Sequence, residues 1–165
     1  MFFGISAMQS LHVLISFAAI GAGFWVLAGL LSARRMPTAT AVFLATTTIT
    51  TLTGFLLPIT GFTPAVGTGI VSTLVLIVTL WARYGVKMRG RWRGAYVIGA
   101  VVSLYLNVFV LIAQLFLKVP ALQALAPTGT EPPFGIGQGV TLLVFIGLGI
   151  LAWTRFRPAP VVIAG

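Results

Sequence analysis

Residues 96–134 read YVIGAVVSLYLNVFVLIAQLFLKVPALQALAPTGTEPPF. How this segment divides decides the fold. Residues 96–117 carry no charge and exceed the roughly 20 residues that cross a bilayer as a helix. Ser103, Asn107 and Gln114 lie inside that apolar run. Residues 118–134 cannot continue it: they hold Lys118, four prolines and Glu131, the single acidic residue of the chain. A spanning helix followed by a Pro-containing loop is therefore expected, with VPALQALA (119–126) suited to a short helix along the membrane surface.

Composition places the rest of the chain in the same setting. Of 165 residues, 59% are hydrophobic and 7% charged, where a water-facing surface takes roughly a quarter. An all-α, integral membrane bundle is expected. Four further apolar runs complete it, at about 9–33, 38–57, 65–82 and 135–153. Met36-Pro37 and PITGFTP (58–64) carry turn residues. The N-terminal segment lacks the basic start of a cleaved signal, and the run from Gln9 to Ala33 is read as the first span. The threonine run 46–53 suits a helix in lipid, where hydroxyls bond back to a carbonyl one turn earlier.

The charges orient the bundle. With five spans, Arg34-Arg35, the loop Arg83, Lys87, Arg89, Arg91 and Arg93, and the tail Arg155 and Arg157 share one side. Those are nine of the ten basic residues, leaving Lys118 with Glu131 opposite. The positive-inside rule then expects the N-terminus outside, the C-terminus in the cytoplasm, and 118–134 as an outer loop. Trp81, Tyr84 and Trp92 suit an interfacial belt beside the basic loop. The net charge of +9 is accounted for by this asymmetry and by anionic lipid headgroups at the cytoplasmic face. No nucleic-acid partner is expected.

Each span also carries a small or polar stripe at helical spacing: His12, Ser16, Ala19, Gly23; Thr46, Thr50, Thr53; Thr68, Ser72, Thr79; and Gln138 with Gly147 and Gly149. Tyr96, Ser103, Asn107 and Gln114 fall within about 40° of one another on the fourth helix. Such faces pack helices in lipid. An amide facing lipid is costly, so Asn107 and Gln114 either join helices or line a cavity. The six residues Ser103, Asn107, Gln114, Thr46, Thr50 and Thr53 form the expected intramembrane polar network. A second cluster is expected at the outer rim, where His12 and Glu131 approach each other and Gln114 and Gln138 join them.

Catalysis finds little support. The chain has no cysteine, one His and one acid, so no metal cluster and no nucleophile–base pair assembles within it. A haem or pigment at His12 would need a second axial ligand from a partner. The alternating glycines 135, 137 and 139 follow no strand and do not read as a dinucleotide loop.

TGFLLPITGFTPAVG (53–67), ARYG (82–85) and YLNVFVLIAQLFLKVPALQALAPTGTEPPF (105–134) resemble a family of small bacterial inner-membrane proteins with no assigned activity. The likeness runs from about Leu11 to Pro158 and implies a multi-pass protein of the bacterial inner membrane. Relatives carry a further His near 58–66 and around 123, where this chain has no hairpin His and has Gln123. No metal or haem site carries over on that basis. The first functional expectation is a non-catalytic accessory or assembly subunit, or a homo-oligomer. The second is a small permease or channel for a neutral solute, and the third is pigment or haem binding at His12.

Overall fold

A computed structural model of the chain describes residues 7–57 and 64–157. Most of these residues are helical, and no strand lies among them. The order is α1 (Ala7–Leu31), α2 (Pro37–Leu56), α3 (Pro64–Leu80), a π-helical turn (Trp81–Gly85), α4 (Trp92–Lys118), α5 (Pro120–Leu125) and α6 (Pro132–Arg155). Five of these helices are long and apolar enough to cross a membrane. The turn expected at 58–64 lies outside the described residues, except that Pro64 begins α3.

Helix ends follow local chemistry. Pro37, Pro120 and Pro132 open α2, α5 and α6, where a missing N–H and a fixed φ cost least. After α1, Ala33 takes a left-handed φ of 53°. Arg34 N–H then donates to Gly29 O at 2.8 Å and Ala33 N–H to Leu30 O at 3.3 Å, the paired bonds that close a helix C-terminus. The Met36 side chain folds over Gly29, where a Cβ would meet its Sδ at 2.6 Å. The third span runs on past residue 82 because the backbone widens into the π-helical turn, with Val86 N–H on Trp81 O at 3.0 Å. The fourth begins earlier than residue 96, at Trp92. α5 forms within the segment expected to hold a short helix.

α1, α2, α3 and α4 form a ring in that order, each on its neighbour, with α4 closing onto α1. α6 lies outside the ring against α4 and α1. α4 is thus the central helix, and its span is the most buried at 39%, whereas that of α6 is buried by only 11%. The half of the ring nearer the arginines is solid. Val26, Leu27, Leu30, Phe43, Leu44, Val97, Ala100 and Leu104 fill it. Gly23 lets Phe43 and Leu104 reach α1, and Gly99 lets α3 bring Thr79 against α4. Close approach through small residues is how helices associate in lipid, where burying apolar surface gains little.

Hydroxyls and amides tie the ring across its interfaces. Thr51 pairs with Ser72 (α2–α3, 3.0 Å) and Thr40 with Tyr96 (α2–α4, 3.2 Å). Asn107 Nδ2 donates to Thr47 Oγ1 (3.1 Å), and Gln138 Nε2 to Phe109 O (3.0 Å). Thr46, Thr48, Thr51 and Thr53 each also donate to a carbonyl one turn back in α2, as the threonine run led one to expect. At the arginine end, Arg93 Nη1 caps the end of α6 through the carbonyls of Trp153 and Phe156.

Candidate functional site

The other half of the ring is hollow. A cavity of about 330 Å³ opens between α1, α2, α3 and α4 at the end away from the arginines. This volume lies at the small end of ordinary ligand sites, which run from about 300 to 1,000 Å³. Its walls are mainly apolar, from Val13, Phe17 and Ile20 on α1 to Val110 and Leu111 on α4. Polar groups interrupt them at chosen depths: Ser72, Thr50, Thr51 and Asn107 deeper, and Gln9, His12, Gln114 and Lys118 nearer the helix ends.

Local structure explains why the space stays open on the α1–α2 side. Gly54 has no side chain to place beneath His12, whose ring lies against it; a Cβ at Gly54 would sit 3.6 Å from His12 Cε1. His12 Nδ1 lies 2.8 Å from Thr53 Oγ1. The Thr53 hydroxyl has one proton and lies 2.8 Å from Ile49 O, which can only accept. The network therefore assigns the ring proton to Nδ1, which donates to Thr53, and leaves Nε2 an acceptor. On the facing wall, Gly69 makes room for the Phe55 ring, which lines the cavity.

Two side chains set the polar interior. Asn107 reaches across the ring to fully buried Thr47 and also lines the cavity. Thr50 Oγ1, on the same wall, is buried with no hydrogen-bond partner. An unmet hydroxyl in an apolar wall costs about 1–3 kcal/mol.

The residues singled out from the sequence divide accordingly. Thr50, Asn107 and Gln114 line the cavity together with His12. Thr53 contributes by holding His12. Thr46 bonds only within its own helix, to Val42 O and Phe43 O. Ser103 is fully buried in the solid half, its hydroxyl unpartnered. The outer-rim cluster does not form as expected. Glu131 accepts from Thr128 N–H, Thr128 Oγ1 and Thr130 N–H at 2.9–3.1 Å, a local cage within its own loop. Gln138 is engaged with Phe109 O, and neither Glu131 nor Gln138 lines the cavity. Lys118 stands at the rim instead. In the basic loop, Lys87, Arg89 and Arg91 are exposed, while Arg83 and Arg93 turn inward onto aromatic rings.

Thr47 and Thr51 are the hydroxyls that reading the sequence missed. The signal lay in Thr40, Phe43, Leu44, Thr47 and Thr51, which share one face of α2 and are all buried. Among the described residues no group of three His, Cys, Asp or Glu side chains comes together to hold a metal. Compared with family models, curated proteins and solved structures, the chain matches none of them.

Proposed function

We propose that the protein is a multi-pass membrane protein that takes a small, mainly apolar and uncharged molecule into the cavity between α1 and α4. It is the loading site of a small permease. What carries the reading is a cavity of about 330 Å³ whose mainly apolar wall holds a few polar side chains, Asn107 and Gln114 among them. The solid half of the ring bars an open channel, so passage would require the helices to move. No acidic residue lies in the bundle, the one Glu being held in the loop before α6, so no carboxylate is available to relay protons. By the charge asymmetry, the cavity faces the outside and the arginines the cytoplasm. The resemblance of residues 105–134 adds the bacterial inner membrane as the site of action.

The test is binding of radiolabelled 1-decanol, a neutral amphiphile, to the protein in nanodiscs. Saturable binding above that of empty discs is expected. Asn107→Leu should weaken it about tenfold, the value of one polar contact. Ser16→Phe, which fills the cavity from α1, should abolish it with the melting temperature unchanged. No saturable excess, or full binding by the folded Ser16→Phe variant, would refute the reading.

A second reading rests on α6, whose lipid-facing length is the least buried of the five spans. An accessory subunit would present this helix, with Leu142, Leu143, Ile146 and Ile150 exposed, to a membrane partner. A stoichiometric partner retained after mild detergent extraction, and lost on Leu143→Arg, is its expected signature.

A further inference from the structure

At the arginine end, on the far side of the solid core from the cavity, Arg34, Arg35 and Arg83 line a single crevice with Thr40, Tyr96 and Phe156. Its volume of about 10 Å³ admits one water-sized group. Two rigid turns bring the three cations together. Arg34 and Arg35 sit in the closed turn that folds over Gly29, and Arg83 in the π-helical turn.

Arg83 is held from three sides. Its guanidinium carbon lies 5.6 Å from the Tyr96 ring centre and 5.8 Å from that of Tyr84, and Nη1 faces Met88 Sδ at 3.8 Å. Its Nε is buried and has no partner. A buried, unpaired N–H of a charged group is costly, and three like charges around one small space repel. No described acidic side chain offsets them: Glu131, the one acidic residue, is caged by Thr128 and Thr130 in the loop before α6.

We infer that this crevice is a phosphate site that seats the headgroup of an anionic phospholipid. One non-bridging oxygen enters the crevice beside the Arg83 guanidinium. The other faces Arg34 and Arg35 at the mouth. Guanidinium groups match phosphate oxygens in geometry as well as charge, and basic pockets between spanning helices hold lipid headgroups. The site is separate from the cavity and does not depend on what the cavity binds.

The experiment is thermal melting of the purified protein in dodecyl maltoside with added phosphatidylglycerol, phosphatidylcholine or inorganic phosphate. Phosphatidylglycerol should raise the melting temperature by at least about 3 °C, as a saturating ligand of the folded state does, and phosphatidylcholine should not. The gain should fall by more than half in Arg83→Lys and in Arg34→Gln/Arg35→Gln. The second variant changes only exposed side chains, so it reports even if the first fails to fold. It should persist in Arg89→Gln/Arg91→Gln, which removes the same charge from exposed positions outside the crevice. Inorganic phosphate reproducing the full gain would keep the site and make free phosphate its occupant. Equal loss in the Arg89/Arg91 control, or equal stabilisation by phosphatidylcholine, would overturn the proposal.

Discussion

The contact between Asn107 and Thr47 joins two helices that face each other across the ring, and it does so at the floor of the cavity. Side-chain bonds between spanning helices contribute about 0.6 kcal/mol on average and up to about 1.7. Thr47 is fully buried, so a value in the upper part of that range is expected. A double-mutant cycle of Thr47→Val and Asn107→Leu, read by unfolding in mixed micelles, should give a coupling of about 1 kcal/mol. Additive single effects would mean that the bond contributes nothing. The polar face of α4 was legible in the sequence, since Tyr96, Ser103, Asn107 and Gln114 align at helical spacing. The matching face of α2 was not, because eight threonines in twenty residues offer a hydroxyl in every direction. Only the apolar pair Phe43 and Leu44 shows which of them turn inward. His12 and Glu131 misled for a different reason. Being the chain's one imidazole and its one acidic side chain, expected at the same end, made them look like partners, but Glu131 is satisfied by donors one and three residues away, which only the loop geometry reveals.

Among the elements, the crossing of α3 and α4 tolerates the least change. A Cβ at Gly99 would lie 2.0 Å from Thr79 Oγ1 and 3.1 Å from Thr79 Cβ. Thr79 is fully buried and β-branched, so it has no room to swing aside. Gly99→Ala should destabilise the protein by about 1–3 kcal/mol, as overpacking does. Thr79→Ala in the same chain removes the nearest atom and should restore most of the loss; failure to do so would place the strain elsewhere. The loop between α5 and α6 responds instead to pH. Desolvation raises the Glu131 carboxyl, but the donors of Thr128 and Thr130 together outweigh it, so its pKa lies below the ordinary carboxylate value. A depressed folded-state pKa contributes order above the unfolded value, and that contribution is lost as pH falls through the folded one. Protection of the Thr128 and Thr130 amides from exchange, after correction for intrinsic rates, should therefore be flat at neutral pH. It should drop below the usual glutamate range, and Glu131→Gln should lower it at neutral pH to about the level that the wild type reaches in acid. The existence of five long helices was open to view in the sequence. Their ends shifted by up to four residues, most at Trp92, where the basic loop continues into α4 instead of preceding it.

For the molecule as a whole, charge and void lie at opposite ends. The crevice of arginines closes one end of a solid half-bundle, and the cavity rimmed by His12, Gln114 and Lys118 opens the other. Nothing in helix packing alone requires this polarity; a bundle would pack equally well with its basic residues scattered. In a bilayer the separation has two consequences. In the proposed orientation the nine basic residues on one face stay in the cytoplasm and the cavity opens to the outside. A molecule entering the cavity then meets one exposed cation, Lys118, which favours neutral or anionic over cationic entrants. The orientation is directly measurable, because the chain has no cysteine to mask a label. Single cysteines placed at Gly129 and at Arg89, both in turns between helices, should differ in intact bacterial cells. A membrane-impermeant maleimide should label residue 129 at once and residue 89 only after the membrane is opened. Labelling of both positions in intact cells would mean that α4 does not cross, since it is the only spanning helix between them. Reversed accessibility would keep the five helices and turn the cavity toward the cytoplasm, which would refute uptake from outside while leaving the phosphate site on the opposite leaflet.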